Sequence, residues 1–236
     1  MHLYNYMKID FINTIKYPII AATTAMALGY AAPTTAQTNK SYTLTEDKFE
    51  RKNINPVLEK YSKEDLPEVF REEVNPSGWT INPDTLKMAP SPKFKLLDKD
   101  NKAALVVDIT NCIVFRYDKD GNVIEAFKAA TGAPDTPTKE GVTKVVSKLN
   151  YPYSTLSRKT KRRRFPRDYG PKILLTFDVD PNTGKLHDSG RYPHGTKHEN
   201  AIEKGHITHG CTRVHNLDIL YLSDVTPVGS FVLFKK

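Results

Sequence analysis

From residue 103 onward, apolar and polar positions fall into short runs separated by tight polar turns. Ala103-Ala104-Leu105-Val106-Val107-Asp108-Ile109 predicts a strand, Thr110-Asn111 a turn, and Cys112-Ile113-Val114-Phe115-Arg116-Tyr117 a second strand. Asp118-Lys119-Asp120-Gly121-Asn122 turns the chain again, and Val123 to Ala129 is a third strand. Brief β-rich runs bounded by Asp, Asn and Gly are the signature of an antiparallel meander. Val142–Lys148, Ile173–Val179 and Ser230–Phe234 add further strands. Helical spacing occurs only near Asn200–Lys204 and Asn216–Asp224. In the second, Asn216 caps and Leu217, Leu220 and Tyr221 share a face. The pattern predicts a mainly β fold with a few short helices, and it contains no internal repeat.

Upstream the pattern is different. Residues 48–100 form an N-terminal extension with short helical candidates, notably Ser62 to Val74, where Ser62 caps and Glu64, Asp65 and Glu68 load the early turns. Pro56, Pro67, Pro76, Pro83, Pro90 and Pro92 exclude a long helix there. Trp79, the single tryptophan, is expected to pack this segment onto the main domain. Residues 37–47 are polar and read as a linker.

Residues 1–36 read as a signal peptide. Lys8 and Lys16 precede an apolar run, Tyr17 to Ala32, and small residues follow at Thr34, Thr35 and Ala36. Starting from Met7 makes the layout more typical still. The alternative is a membrane anchor, but the run contains Pro18 and Gly29 and is shorter than the ~20 apolar residues a span requires. Export is expected, with cleavage near Ala36, to the periplasm or cell wall; contact with a membrane is expected only through an uncleaved signal segment.

Composition agrees with this organisation. The chain has 236 residues, 39% hydrophobic and 26% charged, enough for one domain of ordinary size plus extra segments. The net charge is +8; Lys8, Lys16 and Asp10 contribute +1 of it, leaving about +7 after cleavage. A basic exported protein suits an anionic surface such as a cell-wall polymer; the export signal argues against nucleic acid. Part of the charge is the run Arg158-Lys159-Thr160-Lys161-Arg162-Arg163-Arg164-Phe165-Pro166-Arg167. It reads either as a solvated loop or as a contact with an anionic polymer or substrate carboxylates.

Candidate chemistry is concentrated. Six of the seven histidines and one of the two cysteines lie between His187 and His215. Within that stretch His194-Gly195-Thr196 precedes Thr208-His209-Gly210-Cys211-Thr212-Arg213, with His194 seventeen positions before Cys211. A cysteine needs a base to become a strong nucleophile, and histidine is the usual one. Glycine at 210 allows a turn with exposed backbone amides, so the amides of Gly210 and Cys211 are candidates for holding a developing oxyanion. Two other readings use the same residues. One is a zinc cluster drawn from His194, His198, His206, His209, Cys211 and His215. The other is a Cys112–Cys211 disulfide, as an exported chain permits.

Taken together, His194-Gly195-Thr196, Thr208 to Arg213, Asn216 and Asp218 resemble the L,D-transpeptidase catalytic domain of the YkuD type. Thr131-Gly132-Ala133-Pro134-Asp135-Thr136-Pro137-Thr138 is similar to that family's glycine- and Thr-Pro-Thr-containing turn. The resemblance runs from about Ala103 to Phe234 and implies a catalytic domain over 101–236, a β-sandwich of antiparallel and mixed strands. It implies Cys211 as nucleophile, His194 as base oriented by the Gly195 carbonyl, and backbone amides around His209–Cys211 as the oxyanion hole. Thr208, Arg213 and Asn216 would shape the site or meet substrate. The implied reaction acylates the cysteine with a peptidoglycan stem tetrapeptide at the L-centre of its third residue. The terminal D-amino acid leaves, and the acyl group passes to an amine on another stem. No metal or organic cofactor is implied. Hydrolysis of the same acyl-enzyme, as a carboxypeptidase or amidase, is an alternative outcome, and a non-catalytic wall-binding protein is a third. The sequence departs from the family pattern at Thr212 and Pro193, where aliphatic residues are usual, and at Lys139-Glu140 before Gly141.

Overall fold

The valine- and leucine-rich runs become strands buried on both faces, and what covers each face explains the architecture. The computed structural model describes residues 55–75, 92–97, 99–153 and 165–236. The expected signal peptide, the linker, Trp79 and residues 158–164 of the basic run lie outside the described residues.

In chain order the strands are β1 (Lys93–Leu96), β2 (Lys99–Lys102), β3 (Leu105–Asp108), β4 (Ile113–Tyr117), β5 (Val123–Gly132) and β6 (Gly141–Asn150). They continue with β7 (Lys172–Val179), β8 (Leu186–Asp188), β9 (Pro193–His194), β10 (His206–Thr208), β11 (Thr212–Val214) and β12 (Phe231–Lys235). The α-helices are α1 (Pro56–Lys60) and α2 (Asn216–Val225); single 3-10 turns occupy Lys63–Asp65, Glu68–Phe70, Pro166–Tyr169 and Glu199–Lys204.

The hydrogen-bonded order is β5-β11-β9-β7-β6-β12-β3-β4, and β4 pairs back onto β5. The fold is therefore mainly β, and its sheet closes on itself as a mixed barrel of eight strands. β12 with β3, β11 with β9 and β10 with β5 are parallel; the long neighbours β4–β5 and β6–β7 are antiparallel. Closure leaves few strand edges unpaired, which protects a β-rich chain from edge-to-edge association.

Side chains alternate along these strands. Leu105, Val107, Val114, Phe127, Val232 and Phe234 point into one apolar cluster, which also receives Leu217, Ile219 and Leu222 of α2. Val106, Phe115, Tyr117 and Leu233 point the other way, into a second cluster covered by Phe94 and Leu96 of the β1–β2 hairpin. With both faces covered, β3 is wholly buried, which is why it reads as an unbroken apolar run.

The extension joins the same core. Val57, Leu66 and Phe70 are buried in the cluster that contains α2, each such burial contributing about 2 kcal/mol before ordering costs. Tyr61 donates a hydrogen bond to Asp224 near the end of α2, and Lys60 and Lys172 flank that carboxylate at 3.1 and 3.4 Å. The Tyr61 hydroxyl, then the two ammonium groups, hold Asp224 down at about 2. This cover explains why α2 buries not only Leu217, Leu220 and Tyr221 but also Ile219 and Leu222 on its other side.

The expected helix over Ser62–Val74 is instead two 3-10 turns, because Pro67 interrupts it; the Ser62 backbone amide still donates to Asp65 at 2.8 Å. A short helix, α1, forms where Pro56 was read only as a breaker. Proline is tolerated at a first helical position, and the Asn55 side chain accepts from the Val57 amide at 2.9 Å. At α2 the cap position belongs to His215, with Asn216 inside the helix.

Candidate active site

β9 and β11, two and three residues long, bring the separated motifs together. They pair in parallel with Thr212 opposite Pro193 and Arg213 opposite His194, and the Thr212 amide donates to the Tyr192 carbonyl at 3.0 Å. The residue before Thr212 is Cys211, so this register sets the thiol beside the histidine strand. His194, Cys211, Thr208, His209 and Arg213 share one open cleft of about 350 Å3. Asp168 and Tyr169, from the 3-10 turn in which the basic run ends, complete its wall.

His194 is held firmly. It is 2% exposed, and its Nδ1 lies 2.5 Å from the Gly195 carbonyl oxygen. A carbonyl can only accept, so Nδ1 carries the proton and a neutral ring keeps its Nε2 lone pair available. The Tyr169 ring leans over the imidazole at 4.8 Å between centroids. Strand β7 supports the same residue, since Ile173 is its antiparallel partner.

The turn after His194 is fixed by a side chain from far along the sequence. Asn216 is 2% exposed, and its Oδ1 accepts from the Thr196 amide at 2.9 Å. A Cβ on Gly195 would sit 2.4 Å from that same oxygen, so only glycine permits the approach. Asn216 was expected to shape the site or meet substrate; it lies behind the histidine turn and braces it.

Cys211 is half-buried, with its thiol 3.5 Å from the Gly190 carbonyl oxygen. The preceding turn is organised by Thr208, itself 1% exposed. The Thr208 hydroxyl donates to the Cys211 carbonyl at 2.6 Å and accepts from the Gly210 amide at 3.2 Å. The Gly210 amide, expected to face an oxyanion, is thus turned inward onto a hydroxyl. Gly210 has φ +102°, a conformation that favours glycine and lets the turn reverse before the thiol. The Thr131–Thr138 turn packs beneath: the Thr136 hydroxyl and the Ala133 amide both donate to the Thr208 carbonyl, each at 2.9 Å.

The remaining histidines disperse. His187, His198, His206 and His209 are exposed, and His215 is buried beside Glu199. Among the described residues no three His, Cys, Asp or Glu side chains converge as a metal site. Neither cysteine is in a disulfide, so the Cys112–Cys211 bridge does not form. Cys112 has its own histidine neighbour: its sulfur is 3.7 Å from His206 Nδ1 and 3.4 Å from Thr131 Oγ1. Sequence reasoning missed Asp168 and Glu199. Nothing in the local pattern marks them, because both reach their places through long-range packing.

The sheet closes as a mixed β-barrel, and the adjoining strands β9 and β11 bring His194 and the turn before Thr212 together. Comparison makes this specific. Residues 102–233 match the model of the L,D-transpeptidase catalytic domain, YkuD, and the chain belongs to that family. It is 30% identical over 114 residues to YqjB of Bacillus subtilis (strain 168), covering 48% of this chain and 61% of that relative. It is 24% identical over 220 residues to ErfK/SrfK of Escherichia coli (strain K12), covering 91% of this chain and 70% of that one. Both relatives are named with the L,D-transpeptidases. Among solved structures, Bd1075 of Bdellovibrio bacteriovorus aligns over 61% of this chain and 52% of its own, with 19% identity and a TM-score of 0.42. An L,D-transpeptidase from Mycobacterium smegmatis aligns over 61% and 66%, with 17% identity and a TM-score of 0.38.

Proposed function

We propose that this chain is a peptidoglycan L,D-transpeptidase acting outside the cytoplasm, with Cys211 as nucleophile and His194 as base. The observation that carries the reading is the His194 Nδ1 contact with the Gly195 carbonyl, which leaves Nε2 as the nitrogen able to take a proton. His194 removes the Cys211 proton, and the thiolate attacks the carbonyl of the third stem residue at its L-centre. The tetrahedral intermediate collapses with cleavage of the amide bond. His194 returns its proton to the departing D-amino acid, leaving a thioester on Cys211. An amine from a neighbouring stem then attacks the thioester, yields its proton to His194, and releases the cross-linked product and the free thiol.

The Cys211 amide is the proposed oxyanion donor, joined by the Gly210 amide only if it leaves the Thr208 hydroxyl. Arg213, in the wall of the same cleft, is the proposed partner for a substrate carboxylate. The basic run Arg158–Arg167 ends at the cleft wall near Asp168 and is proposed to approach the anionic wall polymer. The signal segment at 1–36 is the proposed route of export.

Incubation of the purified protein with stem tetrapeptides, followed by mass spectrometry, tests the reading. Cross-linked dimers with release of the terminal D-amino acid are expected. Trimmed peptides alone would make the chain a hydrolase through the same thioester. Unchanged peptide with no adduct on Cys211 would refute the catalytic reading.

A further inference from the structure

One buried carboxylate lies outside this chemistry. Glu199 is 1% exposed, five residues after His194, in the 3-10 turn Glu199–Lys204. Its Oε1 accepts from the Asn216 amide at 2.5 Å, and its Oε2 accepts from the Asn75 amide at 2.6 Å. His215 Nδ1 is 3.4 Å from Oε2. An ionised carboxylate is costly to bury unless its lone pairs are used, and here two backbone donors and the N-terminal end of α2 use them.

The position of those donors matters. Asn216 is the residue whose Oδ1 holds the Thr196 amide and lies against Gly195, whose carbonyl in turn fixes the His194 ring. Asn75 belongs to the extension, and its side-chain amide also donates to Asn200 Oδ1 at 2.8 Å. One side chain therefore ties the extension, the start of α2 and the histidine turn into a continuous set of hydrogen bonds.

We propose that Glu199 is a positioning residue for the His194 base, and that the extension acts on the active site through the Asn75 amide bound to Glu199. This rests on the reading of Cys211 and His194 as the reacting pair. Two acceptor oxygens are needed at once: a carboxylate supplies both, whereas a carboxamide supplies one acceptor and one donor. Glu199→Gln therefore fills the same volume but must lose one of the two backbone bonds. Loss of the Asn216 bond relaxes the brace behind Gly195 and lets the imidazole drift from the thiol. Misplacement by a fraction of an ångström is enough to lower reactivity by about tenfold.

The test needs no peptidoglycan. In the full chain, the rate at which iodoacetamide alkylates Cys211 is followed from pH 5 to 10, with peptide mapping to separate it from Cys112. The titratable groups around Glu199 are His215 and, beyond it, Glu203; those sharing the cleft with His194 are Asp168, Tyr169, His209 and Arg213. The wild-type profile is expected to depend on His194, with His194→Ala abolishing its low-pH limb. Glu199→Gln is expected to lower the rate near neutral pH by about tenfold and to move the limb, in protein whose circular dichroism matches wild type. Asn75→Pro, which removes the amide donor, is expected to move it in the same direction by a smaller factor. Asn75→Ala, which keeps the amide, is expected to retain the wild-type profile. The Asn75 pair reads the coupling even if Glu199→Gln folds poorly.

A profile altered by His194→Ala but unmoved by both Glu199→Gln and Asn75→Pro would overturn the positioning role and leave the proposed function standing. A shift with Glu199→Gln alone would overturn the part assigned to the extension. A wild-type profile indifferent to His194→Ala would overturn the proposed pair itself.

Discussion

The molecule holds two thiols, each with a histidine nearby, in opposite settings. Cys211 borders an open cleft, is half-buried, and follows a glycine turn. Its histidine, His194, is buried at 2% and fixed by a backbone carbonyl. At the other site the arrangement is reversed. Cys112 is 7% exposed at a strand-turn position with φ +55°, while its neighbour His206 is the exposed partner. There the Thr131 hydroxyl lies 2.8 Å from His206 Nδ1, and the sulfur sits about equally far, 3.7 and 3.8 Å, from both ring nitrogens. Proximity of sulfur to imidazole is thus a weak criterion for a nucleophile. What distinguishes the Cys211 pair, proposed here as nucleophile and base, is a sulfur that borders an open cleft and an imidazole of defined tautomer.

The comparison can be broken by mutation, and the largest effect should come from the base. His194→Ala is expected to slow acylation of Cys211 by roughly 10²–10⁴-fold, the range for loss of a general base, while His206→Ala leaves it within twofold. Stopped-flow measurement of adduct formation checks both; equal effects would erase the distinction between the pairs. Next in size is Thr208→Val. It removes the hydroxyl that bonds both the Cys211 carbonyl and the Gly210 amide, and should cost about 2 kcal/mol of stability together with roughly tenfold in acylation rate. A variant with wild-type rate would mean the turn does not depend on that hydroxyl.

The smallest effect sharpens the contrast from the structural side. Thr212, where the family pattern favours an aliphatic residue, is fully buried, and its Oγ1 has no hydrogen-bond partner among the described residues. Thr212→Val keeps the shape and removes a desolvated hydroxyl. It is expected to raise stability by about 1 kcal/mol, or roughly 2–4 °C in Tm, with acylation unchanged. Thermal unfolding measures it, and a lower Tm would indicate a partner for the hydroxyl.

The same contrast marks what the sequence made legible. The strands around Leu105–Asp108, Ile113–Tyr117 and Lys172–Val179 were readable because burial on one or both faces leaves long apolar or alternating runs. β9 and β11 were not, since two or three residues establish no period, although they set the register between His194 and Cys211. β5 runs three residues past the predicted Ala129, to Gly132, because β10 and β11 supply partners for it that only the closed sheet brings near. Cys211 and His194 stood out through motif spacing. The inward turn of the Gly210 amide and the bracing role of Asn216 did not, because each depends on a side chain meeting backbone across the fold. Glu199 was hidden for the same reason: its two amide donors lie 124 and 17 residues away along the chain.

One thiol, and not the other, is proposed to carry the acyl group. The most direct measurement is peptide-mapped mass spectrometry of the protein trapped with a stem-tetrapeptide donor, in wild type and in Cys211→Ala and Cys112→Ala variants. A thioester is expected on the peptide containing Cys211, with its retention in Cys112→Ala and its loss in Cys211→Ala. An adduct on Cys112, or one that survives Cys211→Ala, would contradict it.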